Sequence, residues 1–223
     1  MFPRSWTRML ATTLISGGML SGPGPVQAQG LCLCPLCALG LQKLYRQSTG
    51  AMSPALEPGD CLRIWTGAEL PDAGALIAYR TTAGADNLMR VIALPGQRIA
   101  VVAGVPVIDG VPAKRERLAD YRIAPDLAAG PLALCGKSGG CDLPRFRETL
   151  PNGASYEVLD AVSGSTLDEM AEVTVPPAHV FVMGDHRDIA MDSRLGPELG
   201  GPGMVSLLLM VGVMAPESEP TAP

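Results

Sequence analysis

The sequence predicts an all-β, or β-rich, fold on three observations. Glycine (26) and proline (21) are abundant and spread along the 223 residues, as in chains that turn often. Short apolar runs recur between them. From Gly50 onward no segment keeps a helical apolar period over three turns.

The runs are Cys61 to Trp65, Ala75 to Tyr79, Leu88 to Leu94, Arg98 to Val102 and Val105 to Ile108, most of them bounded by Gly, Pro or Asp, as strands are. Asp109-Gly110, lying between Val107-Ile108 and Val111, predicts a tight hairpin because that dipeptide adopts positive φ at little cost. Residues 113–155 are rich in turn formers. Tyr156 to Val162, Val173 to Val175 and His179 to Met183 resume the strand pattern, and Val205 to Val213 is apolar enough for one closing strand. The length suits one substantial domain, and a hydrophobic content of 47% with 17% charged residues is enough to bury a core. No repeat is present.

A net charge of -5 with no basic stripe excludes a nucleic-acid-binding surface, which rests on clustered Lys and Arg. Lys114-Arg115-Glu116-Arg117 is interrupted by an acid and reads as a solvated turn.

At the N-terminus, Arg4 and Arg8 precede the apolar stretch Met9 to Leu20, and Val26-Gln27-Ala28 supplies small residues at a cleavage point. This is the layout of a secretory signal over residues 1–28. The competing reading is an uncleaved anchor. The apolar stretch falls short of the ~20 residues a span requires and contains Thr12, Thr13 and Ser16, which favours cleavage. Residues 29–41 form an apolar, cysteine-containing lead-in. Leu31 to Leu44, broken by Gln42 and Lys43, is short for a span but suits association with a membrane surface. Residues 216–223 read as a disordered tail.

Export places the six cysteines in an oxidising compartment. Cys135 and Cys141 bracket Gly136-Lys137-Ser138-Gly139-Gly140, a loop flexible enough to let the two sulfurs meet, and a bridge is predicted there. Cys61, in an apolar run, is expected to pack as a small buried hydrophobe. Cys32, Cys34 and Cys37 have no neighbouring His or fourth thiolate, so no metal site is expected, nor any cofactor.

Three further segments occur in order. They are Ser48-Thr49-Gly50-Ala51-Met52-Ser53-Pro54-Ala55-Leu56 followed by Pro58-Gly59-Asp60; Met89-Arg90-Val91-Ile92-Ala93-Leu94-Pro95-Gly96; and Val182-Met183-Gly184-Asp185-His186-Arg187-Asp188-Ile189-Ala190-Met191-Asp192-Ser193-Arg194. They resemble, respectively, the nucleophile box, the Lys-Arg-Val-x-Gly-Leu-Pro-Gly-Asp box and the Gly-Asp-Asn-Arg-Asp-x-Ser-x-Asp-Ser-Arg box of signal peptidase I. That family is a membrane-bound serine endopeptidase that removes signal peptides at the outer face of the cytoplasmic membrane. The resemblance covers roughly residues 45–210, including Val175-Pro176-Pro177 and the cysteine-bracketed loop, which some members also have.

The resemblance implies a coiled β-barrel core within residues 42–215, built from 42–112 and 156–215, with a disulfide-clipped β subdomain inserted at 113–155. It also implies an exported protein, in the periplasm or at the outer face of the cytoplasmic membrane. Members use a serine hydroxyl as nucleophile and a neutral, desolvated lysine amine as base. The resemblance puts Ala51 at the nucleophile position, Met89 at the base position and Ala190 where many members have a serine that orients the lysine. None of the three can transfer a proton near neutral pH.

Thr49, by its hydroxyl, and Ala51, by its backbone N–H, keep the family's oxyanion positions. Arg90, Asp192 and Arg194 align with residues of an ion-pair network that fixes the last box against the core, and Asp185 belongs to the same framework. The implied function is binding of extended peptide segments, such as signal peptides of exported proteins, without hydrolysis. A secretion-machinery protein is a further candidate partner. The alternative is an active serine endopeptidase with substitute residues. For that role Ser53, on an extended segment, would share the face of Ala51 but stand ~6 to 7 Å away. His186 replaces the usual asparagine and is expected to hold a turn, and His179 reads as an exposed strand entrance.

Overall fold

The computed structural model describes residues 35–67, 70–123 and 142–214. The leader, Cys32, Cys34, the Cys135 and Cys141 pairing and the C-terminal tail lie outside the described residues. Among the described residues the chain forms sixteen strands and no α-helix. In order they are β1 (Gln42–Arg46), β2 (Cys61–Thr66), β3 (Leu76–Arg80), β4 (Asp86–Ala93), β5 (Arg98–Val102), β6 (Val105–Ile108), β7 (Val111–Pro112) and β8 (Lys114–Arg117). There follow β9 (Tyr121–Arg122), β10 (Asp142–Leu143), β11 (Arg145–Thr149), β12 (Ser155–Leu159), β13 (Met170–Thr174), β14 (His179–Met183), β15 (Val205–Ser206) and β16 (Met210–Met214).

A seven-stranded sheet runs β1-β2-β16-β3-β4-β14-β15; a four-stranded sheet runs β13-β5-β6-β7, a three-stranded one β12-β11-β8, and β10 pairs with β9. Every one of these pairings is antiparallel. The fold is thus β-rich, as the sequence predicts, and the punctuation of the chain explains it. Asp109 (φ 51) and Gly110 (φ 81) both adopt positive φ at the β6–β7 turn, the backbone a two-residue hairpin requires.

Two strands hold the interior together. Successive side chains of a strand point to opposite faces, and in β14 Val180 and Val182 enter one apolar core while Phe181 and Met183 enter the other. β4 divides along its length instead, with Leu88, Met89 and Val91 in the first core and Ile92 and Ala93 in the second. Their near-continuous apolar runs follow from being covered on both faces. Each fully buried side chain of this size contributes about 1.5 to 3 kcal/mol of burial free energy.

Several expectations are corrected. The apolar run Val205 to Val213 is two strands rather than one. β15 pairs with β14 at one edge of the large sheet, whereas β16 pairs with β2 and β3 in its middle, so the chain leaves the sheet between them through a single turn, Leu207–Leu209, capped by the Ser206 hydroxyl. Cys61 is exposed, and it and Cys37 are both disulfide-bonded; the apolar run around Cys61 is a half-buried strand whose alternate residues, Leu62 and Ile64, face the core. Arg115 is no solvated turn residue. It lies in β8 with its guanidinium on Glu148 at 3.0 Å and Asp160 at 2.5 Å. β1, β8 and β11 carry mixed polar sequences and were not expected as strands. No helix among the described residues is long and apolar enough to cross a membrane.

Candidate functional site

The segment after β1 forms a single 3-10 turn, Gly50–Met52, with Thr49 at its N-cap in extended conformation (φ -133, ψ 160). The Ala51 N–H donates to the Thr49 hydroxyl oxygen at 3.4 Å. The turn is anchored on both sides. Met52 and Leu56 are fully buried in the first core, and Gln47 donates through Nε2 to the Thr49 carbonyl at 2.6 Å. Ala51 itself stays half-buried. Ser53 closes the turn as its C-cap instead of continuing an extended segment, so the same-face placement expected for Ser53 and Ala51 does not arise; Ser53 is buried, with Oγ toward Gly50.

The third segment begins with the last two residues of β14, Val182 and Met183. Met183 pairs with Arg90 of β4, so one residue further along each strand stand Gly184 and Met89. Met89 is 1% exposed and packs in the same core cluster as Met52. Gly184 is the meeting point of the two motifs. A Cβ there would overlap the Ala190 methyl and come within 2.6 Å of the Ala51 carbonyl oxygen. The His186 N–H donates to that same Ala51 carbonyl at 3.1 Å, and the His186 carbonyl accepts from Ala190 at 3.2 Å. Ala51, Gly184, His186 and Ala190 are therefore one constellation.

Buried charges hold Gly184 at both of its polar atoms. Its N–H donates to Asp192 at 3.0 Å, and its carbonyl accepts from Arg187 Nε at 3.2 Å. Asp192 is gripped by Arg194 (Nε 2.9 Å, Nη2 2.8 Å), while Arg90 grips Asp185 (Nε 2.8 Å, Nη2 2.6 Å). Both pairs flank Gly184, where the third motif meets β4. A third pair was not expected. Arg187, 1% exposed, donates to both oxygens of Glu148 (3.0 and 2.6 Å), which is fully buried in β11 and also accepts from Arg115 and Tyr156. Arg187 stood in the third motif with no role assigned. Glu148 left no local signal, because its partner lies 39 residues away.

Burial raises Asp185 above the usual carboxylate range, against the pull of Arg90. Burial works the same way on Glu148, yet Arg187 and then Arg115 outweigh it and hold that carboxyl low. The His186 ring does not hold a turn as an asparagine side chain would. It is 2% exposed, its Nδ1 has no hydrogen-bond partner, and burial lowers its pKa to about 4, so it is neutral at pH 7. His179 opens β14, half-buried, with Nδ1 2.9 Å from the Pro177 carbonyl. No group of His, Cys, Asp and Glu able to hold a metal ion occurs among the described residues.

Residues 28–215 match the family described as "Signal peptidase, peptidase S26". The chain belongs to this family. Among similar curated proteins, the signal peptidase I of this family from Rickettsia typhi is 26% identical over 133 residues, spanning 56% of this chain and 45% of the relative. That of Rickettsia prowazekii is 25% identical over 161 residues (67% and 56%), and that of Rickettsia conorii 28% over 133 (56% and 45%). The chain thus spans about half the length of the curated relatives it matches. A crystal structure of a signal peptidase I from Enterococcus faecalis V583 aligns with 67% of this chain and all of that one, at 20% identity and a TM-score of 0.36. The β-rich assignment rests on the strands described above.

Proposed function

We propose that this member of the signal peptidase family binds extended peptide segments of exported proteins without cutting them. The observation that carries the reading is the chemistry of three side chains. Where the family resemblance puts a nucleophile, a base and a base-orienting hydroxyl, the chain has the Ala51 methyl, the Met89 thioether and the Ala190 methyl. A methyl group cannot attack a carbonyl, and a thioether has no proton to exchange near pH 7. Groups that act as a unit lose most of their effect when one goes.

What supports binding is the part that remains. The Thr49 hydroxyl and the Ala51 N–H stand together at the half-buried turn, and both can donate to a substrate carbonyl once they release each other. A strand-like peptide laid beside them gains main-chain hydrogen bonds, and shallow pockets read its side chains. Oxidised Cys37 and Cys61 fit an exported protein in the periplasm or at the outer membrane face, and the exposed Leu39, Leu41 and Leu44 fit contact with a membrane surface or a secretion-machinery partner.

Two assays on the purified protein test this. Fluorescence anisotropy with a labelled signal-peptide-like peptide is expected to give saturable binding, and a preprotein cleavage assay is expected to give no product. Absence of binding to such peptides overturns the reading. The second reading, an active endopeptidase, is favoured by family membership alone. It predicts cleavage by the wild type that Ser53→Ala or His186→Ala abolishes.

A further inference from the structure

Beneath the turn that carries Ala51, His186 and Asp188 stand in an arrangement with no role in the pairs described so far. His186 Nδ1 is buried and unbonded, and Asp188 Oδ2 lies 4.0 Å from it, beyond hydrogen-bond reach. Asp188 is the fixed end. Its two oxygens accept from the backbone N–H groups of Ala161 (2.8 Å) and Val162 (3.1 Å). His186 is the end attached to the site, through its N–H on the Ala51 carbonyl and its carbonyl under the N–H groups of Ala190 and Ile189.

We propose that His186 and Asp188 form a one-proton latch: a proton taken from solvent is held between Nδ1 and Oδ2, the two groups close into a hydrogen bond, and the Ala51–Ala190 floor of the groove moves with His186. No covalent bond between heavy atoms changes. The proton forms one N–H or O–H bond and one hydrogen bond, whichever group formally owns it. Because such a bond spans roughly 2.6 to 3.0 Å, closure shortens the 4.0 Å gap by about an ångström.

The surroundings favour this partner over others. On the same loop Arg187 is turned away onto Glu148, and Asp185 onto Arg90. β12, which meets His186 through a bridge at Leu159, carries Tyr156 and Glu157, engaged with Glu148 and Arg145. The turn Gly50–Met52 contributes no titratable group. Asp160 and Asp168 lie behind Asp188 and add negative charge that favours its protonated form. Burial lowers His186 and raises Asp188, so the two shift toward each other, as in a pair that takes up its proton jointly.

The latch rests on the proposed groove only for its consequence, a pH-dependent ligand affinity; the movement itself is measured without ligand. The protein has two histidines, so His179→Gln leaves one imidazole signal. In ¹⁵N NMR of unliganded His179→Gln protein, the His186 ring and the Ala51 and Ala190 amides are expected to shift with one common midpoint, well below the ~6.5 of a free histidine. In His186→Asn the two amides lose that shift, and in Asp188→Asn the ring midpoint moves while the amide response collapses. Should Asp188→Asn not fold, His186→Asn carries the comparison by itself. Amides that stay still while the ring titrates, or a chain that unfolds before the ring titrates, overturn the latch. If the shifts occur and no peptide binds at any pH, the latch stands and the peptide-binding reading falls.

Discussion

Arg90 holds Asp185 by two charge-assisted hydrogen bonds across 95 residues of sequence, and its third nitrogen donates to the Gly74 carbonyl at 2.7 Å. The guanidinium carbon also stands 4.3 Å from the centre of the Tyr156 ring. Arg90 lies in β4 beside Met89, and Asp185 follows Gly184, so this pair sets the distance between the two motifs. The ion is buried, with 8% of the Arg90 side chain and 1% of Asp185 exposed. Breaking it leaves an uncompensated charge in the interior, which costs several times more than a surface pair is worth.

Arg90→Met is therefore expected to destabilise the fold by about 3 to 5 kcal/mol, read as a shift in the urea midpoint. Adding Asp185→Asn should recover part of that loss, because the stranded charge goes with it. A single variant indistinguishable from wild type contradicts the assigned burial.

Glu148→Gln tests the pair that joins β11 to the third motif. Burial disfavours the charged Glu148, but Arg187 and Arg115 more than compensate, so its folded pKa lies below its unfolded one. A depressed carboxylate contributes stability present above the unfolded value of ~4.3 and lost as pH falls through the folded value. Wild type should exceed the variant by about 3 kcal/mol at pH 7, with the difference shrinking below pH ~4.3. Urea melts at pH 7, 5, 4 and 3.5 read this out.

His186→Asn probes a different window. The His186 pKa is about 4 in the folded chain, lowered by burial, against ~6.5 unfolded. The unfolded state thus binds more protons between those values, and wild-type stability should rise with pH across them by up to ~3 kcal/mol relative to the variant. Asp188, raised by burial, runs the opposite way and faces His186 at 4.0 Å, so the comparison is repeated in an Asp188→Asn background, where only the histidine contributes. Parallel stability-against-pH curves would show that His186 is not buried neutral.

Gly184→Ala adds one methyl where the Ala190 side chain and the Ala51 carbonyl already sit. Overpacking of this kind costs about 1 to 3 kcal/mol, and here it also pushes the Ala51 turn away from His186. Peptide affinity should fall more than global stability does, so anisotropy and thermal melts on the same sample separate the two effects.

Local pattern made the strands of the interior legible. β5, β6 and β14 appear in the sequence with the bounds they have in the fold, since each is an apolar run cut by glycine, proline or aspartate. β1, β8 and β11 were hidden for the opposite reason. Gln42–Arg46, Lys114–Arg117 and Arg145–Thr149 are largely polar, and they are strands because a neighbour supplies the hydrogen bonds: β2 for the first, β11 for the second, β8 and β12 for the third.

The candidate site divides the same way. The three motifs themselves were readable from their order, since a motif is a stretch of adjacent residues whose chemistry travels with it. The pairing of charges was not. Arg90 bonds Asp185, Arg194 bonds Asp192 and Arg187 bonds Glu148, because a guanidinium buried in the interior bonds the carboxylate that the sheets bring within about 3 Å. Residue types are set by the chain; which opposite charges meet depends on how β4, β11 and β14 pack, and only the assembled sheets decide that.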